Sequence, residues 1–224
     1  MNYQLDSLSR DNALPLETEF KLLCQSLSVL LSSTGLKVRG HLPGVPHFRK
    51  LEDQQKSQVV SRLRFYHDLC QEQISEGYSL RDSMSFTWRA LTKLGLAPRS
   101  DLFTKITNEH IVEIYSTDNV QLYCNLNFYE YCSYTLEELH TLPWWELFER
   151  DSRNTQQIFD HTMKIFKGEI LDNVKPAIDK HVLKELNSSS MFTMEYTVEL
   201  MGPLFKNKRP EAFIILEKAR ILAN

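Results

Sequence analysis

The chain has 224 residues, 42% of them hydrophobic and 11% aromatic, enough apolar material for a packed core and too much for a disordered polymer. A formal net charge of -3 leaves no basic excess to engage phosphates, which argues against nucleic acid being bound by these residues. No apolar run reaches the roughly 18–20 residues that cross a bilayer, and the opening MNYQLDSLSRDN lacks the basic start and apolar stretch of a signal peptide. No membrane insertion and a cytoplasmic location are therefore expected. Cys24, Cys70, Cys124 and Cys132 show no CxxC spacing and are expected to be reduced, buried thiols.

The first hundred residues read as helices. Leu16, Phe20, Leu23, Leu27 and Leu30 recur at helical spacing, and Gly35 follows as a stop. Two prolines make 40–46 a loop, where His41 and His47 lack the carboxylate or thiolate neighbours of a metal site. A second helix is expected from about Asp53 to Ser75. A third is expected from Ser79, with Asp82 in a capping box and Leu80, Met84, Trp88 and Leu91 as its apolar stripe. These stripes first of all need a core, though they also suit a second copy of the chain. GxSxG, HExxH and glycine-rich phosphate loops are absent, so no catalytic residues are assigned and no enzyme is expected.

The second half changes period. His110 to Tyr115 and Val120 to Asn125 read as two strands joined by an Asp118-Asn119 turn. An aromatic segment around Phe128 follows, then a helical turn capped by Thr135 and Glu138, then a short apolar helix at Trp144–Phe148. A longer helix spans about 154–167 and ends at Gly168. From Phe192 to Leu200 apolar and polar residues alternate as in a strand, which Gly202-Pro203 should break. Lys206-Asn207-Lys208 reads as a turn, and the apolar run 211–216 as a strand buried on both sides. Adjacent Glu137 and Glu138 point about 100° apart on a helix and read as capping and surface charge.

Over roughly 103–219 this order resembles the PAS family of sensor and interaction domains. Asp118 stands at the family's turn aspartate, Asn125 at the asparagine closing the second strand, and Phe128 at an aromatic of the next helix. Tyr134-Thr135-Leu136-Glu137-Glu138-Leu139, with Tyr134 and Glu138, is similar to its GY-x-x-E-E-L turn. Ser133 and His140 replace glycines of that pattern, Glu149-Arg150-Asp151 lacks its proline, and the charged connection 170–190 is longer than usual.

The resemblance implies an α+β chain: a helical N-terminal module over 1–100, then over 101–224 a PAS-like five-stranded antiparallel sheet with short helices on one face. It implies a cup lined by Val112, Ile114, Leu122, Phe128, Trp145, Ile158, Phe166, Met194, Tyr196 and Ile214. Such a lining suits a small apolar ligand, and it equally suits a solid core. The surroundings of Cys124 and Cys132 do not match a flavin-adduct cysteine. A haem would need an axial ligand such as His161 or His181, both expected on helices, so haem and flavin are disfavoured and the cofactor is left open. The functional expectation is a signal-transduction sensor acting through a small-molecule ligand, a homodimer or another protein partner. The chain stops just after its last strand, where such a domain commonly hands over to an output domain, as in a transcriptional regulator. The alternative is a ligand-free interaction or dimerisation scaffold.

Overall fold

The computed structural model describes residues 14–178 and 180–223. Four helices come first: α1 (Leu16–Ser32), α2 (Pro46–Arg49), α3 (Asp53–Ser75) and α4 (Ser83–Leu94). The α1 stripe buries Phe20, Cys24, Leu27 and Leu31, and Phe20 stacks on Phe48 of α2 with ring centres 4.0 Å apart. Helix α3 spans the expected residues. Helix α4 starts later than the expected Ser79, with Asp82 as its N-cap accepting the Ser85 amide, and Gly95 closes it at φ 66°.

Its buried side is also rotated from the expected stripe. Phe86, Thr87, Ala90 and Leu91 face the core, whereas Met84 and Trp88 are exposed. Both sets have helical spacing, so periodicity alone could not choose between them. Tyr123 decides it, receiving the Phe86 ring at 5.5 Å and the Thr87 hydroxyl at 3.2 Å.

The rest is a curled antiparallel sheet with α5 (Leu136–Thr141), α6 (Trp144–Leu147) and α7 (Ser152–Phe166). The strands are β1 (Ile111–Ser116), β2 (Gln121–Cys124), β3 (Phe148–Arg150), β4 (His181–Glu185), β5 (Thr193–Lys206) and β6 (Arg209–Ala223), in the order β2-β1-β6-β5-β4-β3. The sheet thus has six strands where five were expected. The additional edge strand is β3, three residues pairing Phe148 with Glu185 and Arg150 with Leu183. Its partner β4 lies within the stretch expected as a connection, because charged neighbours obscure its alternating burial.

Gly202-Pro203 does not break β5 either. Pairing with β6 continues on both sides, and irregularities at Val198/Leu200 and Leu204/Phe205 absorb the misfit. A Cβ at Gly202 would meet the end of the Asn173 side chain, which would have to move aside. The β5–β6 hairpin closes at Asn207 and Lys208, both at positive φ, as a two-residue turn with the sheet's twist requires.

Register assigns the two faces of the sheet. Val112, Ile114, Ile214 and Leu216 share one face with Tyr123, which packs on Tyr66 of α3 and Phe86 of α4. The N-terminal helices therefore cover this face, and one apolar cluster runs from Phe20 through to Leu216. The opposite face carries Glu113, Tyr115, Phe213 and Ile215. Helix α7 covers part of it, through Ile165 and through Phe166, whose ring lies 6.0 Å from that of Phe213. No helix among the described residues is long and apolar enough to cross a membrane.

Candidate functional site: a polar row under the C-terminal helices

Strand alternation and register bring seven polar side chains onto the α7-covered face. Glu113 and Tyr115 are two apart on β1, and Tyr115 pairs with Gln121 of β2. Glu217 of β6 pairs with Ile111 and with Val198; two residues from Val198, Tyr196 pairs with His181; two residues further, Leu183 pairs with Arg150. Residues i and i+2 of a regular strand share a face, and the bulge between Ile114 and Tyr115 brings Gln121 to this face although Tyr123 lies on the other, so the row crosses the sheet from Gln121 to Arg150.

The acidic end is tightly held. Glu113 Oε1 accepts the Tyr115 hydroxyl at 2.8 Å and the Gln121 side-chain amide at 2.5 Å, and the Glu217 carboxyl lies beside that of Glu113. Both carboxyls are buried, at 6% and 5% exposure, so neither is hydrated from bulk. Burial pushes both above the ordinary carboxylate range, with the Arg150 charge pulling the other way.

The basic end is held differently. The Arg150 guanidinium carbon lies 4.5 Å from the Trp144 ring centre and 5.9 Å from that of Phe148. Among the described residues it makes no side-chain hydrogen bond, and its Nε is buried without a partner. Its charge acts on Glu113, Tyr115, His181, Tyr196 and Glu217, yet no carboxylate among the described residues approaches it within 4.0 Å. His181, 4% exposed, stacks on Tyr196 at 5.7 Å and leaves Nδ1 unpartnered. Burial, then Arg150, lowers its pKa to about 4, so the ring is neutral at physiological pH.

The ten residues expected to line one cup are not brought together. Val112, Ile114 and Ile214 lie on the opposite face, against the N-terminal helices. Met194 and Tyr196 are on the polar-row face, Phe128 is buried beside Tyr129, and Leu122 is partly buried. Ile158 and Phe166 of α7 join the separate cluster around Ile165 and Phe213. Trp145 is 62% exposed and lines nothing internal. Alternation within a strand marks its two faces, but it does not say which face of the next strand matches.

The motif residues have structural roles. Asn125 and Tyr134 are buried tethers: the Tyr134 hydroxyl bonds the Leu147 and Leu186 carbonyls and accepts the Leu186 amide at 2.8 Å. Glu138 completes the expected capping box with Thr135, and Asp118 is exposed in its turn. Glu137 is not surface charge. It is fully buried and accepts the backbone amides of Leu42, His47 and Phe48, tying the first loop to α5. His181 opens strand β4 rather than lying on a helix, and His161 sits half-buried on α7. No group of three or more potential metal ligands occurs among the described residues.

Sequence reasoning passed over Glu113, Glu217 and Arg150. The signal was available for the first two, since Ile-Val-Glu-Ile-Tyr and Ile-Ile-Leu-Glu-Lys each set a carboxylate inside an otherwise apolar strand. No protein-family model matches the sequence, and no curated protein matches it.

Proposed function

We propose that the chain is a sensory module of PAS type, a cytoplasmic regulatory domain that binds a small molecule beneath its C-terminal helices. The observation that carries this reading is Arg150, whose Nε is buried without a hydrogen-bond partner and which shares one face of the sheet with a buried carboxyl pair. A purely structural core pairs such charges or replaces them with apolar residues. The run of two strands, short helices, a long helix and closing strands supports the family reading. The polar row favours a polar ligand over the apolar one expected from the strands. Signalling would follow if the ligand favoured one packing of α6 and α7 over another.

Native mass spectrometry of protein purified without denaturant tests the reading. A reproducible small-molecule mass, lost on unfolding, supports it. A clean apo mass from several expression hosts, with no thermal shift across a metabolite panel, sinks it.

A ligand-free docking module is favoured by a different observation. Met84 and Trp88 of α4 are exposed, and with Tyr78 and Phe103 they line an open recess of about 280 Å³. Light scattering separates the two readings: a dimer that Trp88→Glu converts to monomer places the activity on α4.

A further inference from the structure

The polar row has opposite charges at its two ends, and neither end is satisfied by the other. The Arg150 guanidinium carbon sits over the Trp144 ring at 4.5 Å, and its N–H groups make no side-chain hydrogen bond among the described residues. A planar fork of donors is matched best by a carboxylate, which accepts two parallel hydrogen bonds. His181 Nδ1 is a second unpartnered polar atom on the same face, between Arg150 and the carboxyl pair in the order of strands.

The other end asks for the reverse. Both side-chain donors available to Glu113 land on one oxygen, Oε1, and Glu217 has only Glu113 as its side-chain partner. Two buried, neighbouring carboxyls with side-chain donors on only one of their four oxygens among the described residues are an acceptor site for a cation with several N–H donors. An ammonium has three such donors and can bridge the two carboxyls. A guanidinium ligand would match one carboxylate edge to edge and leave the second unserved.

Resting on the sensor reading above, we propose that this site takes a small zwitterion, its carboxylate on Arg150 and its ammonium on Glu113 and Glu217, with the α-amino acids as the simplest members of the class. A simple carboxylate would satisfy only the basic end, and a simple amine only the acidic end. Selectivity for a molecule carrying both charges follows directly. The aromatic rings of Tyr115, Tyr196 and Trp144 border the row and suit an aliphatic or aromatic substituent.

The test is isothermal titration and thermal shift of the full chain with L-leucine, L-phenylalanine and L-glutamate, each at millimolar concentration. Two single-charge analogues of leucine accompany them: 4-methylpentanoate and 3-methylbutylamine. The expected result is binding of at least one amino acid, with the matching analogues weaker by at least about tenfold. Arg150→Gln and Glu217→Gln should each weaken the amino acid by a similar factor, and Arg150→Lys, which keeps the charge but loses the fork, should fall between. Circular dichroism confirms that each variant is folded; should Arg150→Gln fail to fold, Arg150→Lys carries the comparison alone. Analogues that bind as well as leucine, or unaltered affinity in the Arg150 variants, overturn the proposal. A retained native mass that is not a zwitterion overturns it while leaving the sensor reading intact. A clean apo mass with no thermal shift removes both.

Discussion

The Asn125 carboxamide oxygen accepts the Val112 amide at 3.0 Å, while its nitrogen donates to the Ser83 hydroxyl and the His110 carbonyl, both at 2.8 Å. One buried side chain thus joins the end of β2, the start of β1 and the first residue of α4. Asn125→Ala leaves the Val112 amide without this acceptor, and a buried group left unpaired costs about 1–3 kcal/mol. We expect a total loss of about 3 kcal/mol, read as a lower urea midpoint. Asn125→Asp keeps the acceptor but loses both donors, so it should recover only part. A loss below about 1 kcal/mol for the alanine variant would mean that the tether is replaceable.

Glu137 makes a second long-range tether, between α5 and the loop before α2. Its carboxylate receives three backbone amides at 2.9 to 3.2 Å with no cationic side chain bonded to it. Glu137→Gln retains one acceptor oxygen and should cost about 1–2 kcal/mol, whereas Glu137→Ala should cost about 3–5 kcal/mol. Hydrogen exchange at Leu42, His47 and Phe48 is the specific readout. Those amides should lose protection in the alanine variant even under conditions where the sheet stays protected.

These two tethers show how far the sequence could be read. Asn125, Tyr134 and the Thr135–Glu138 box stand at short, recognisable spacings, so their segment, α3 and α7 were legible from local chemistry alone. Glu137 looked identical to its neighbour Glu138 because its three partners lie about ninety residues upstream, a relationship no local pattern carries. Strand β3 is three residues long and exists only because β4 offers it an edge. The polar row was missed for the same reason: Glu113, Glu217 and Arg150 come together only through the registers of five strands, and no strand carries more than one of them.

The orientation of α4 separates the two stripes that its sequence permits. Phe86 is fully buried against Tyr66 and Tyr123, so Phe86→Ala should cost about 3–5 kcal/mol. Trp88 is 54% exposed, and Trp88→Glu should leave the monomer's stability within about 0.5 kcal/mol of wild type. Chemical denaturation of the two variants side by side checks the assignment. A reversed order, with Trp88→Glu the more damaging, would place Trp88 in the core and Phe86 outside it.

The polar row also sets the dependence of stability on pH, and its two ends act in opposite directions. The folded pKa of His181 is lowered to about 4, so its contribution is present above the ordinary histidine range and is lost as pH falls towards 4. His140, lowered to about 3, adds a loss of the same sign. The Glu113–Glu217 pair is raised, so its contribution is present below the ordinary carboxylate range and is lost as pH rises through the folded value. Glu217→Gln places a permanent hydrogen-bond donor beside Glu113 in place of a titratable carboxyl. Relative to wild type it should gain stability progressively as pH rises through the pair's titration, with a slope of up to about 1.4 kcal/mol per pH unit for one proton. His181→Asn should instead flatten part of the acid limb, between about pH 6.5 and 4. Urea midpoints measured from pH 4 to 8 decide both. If Glu217→Gln and wild type trace parallel profiles, the carboxyl pair is not holding a proton in the folded protein.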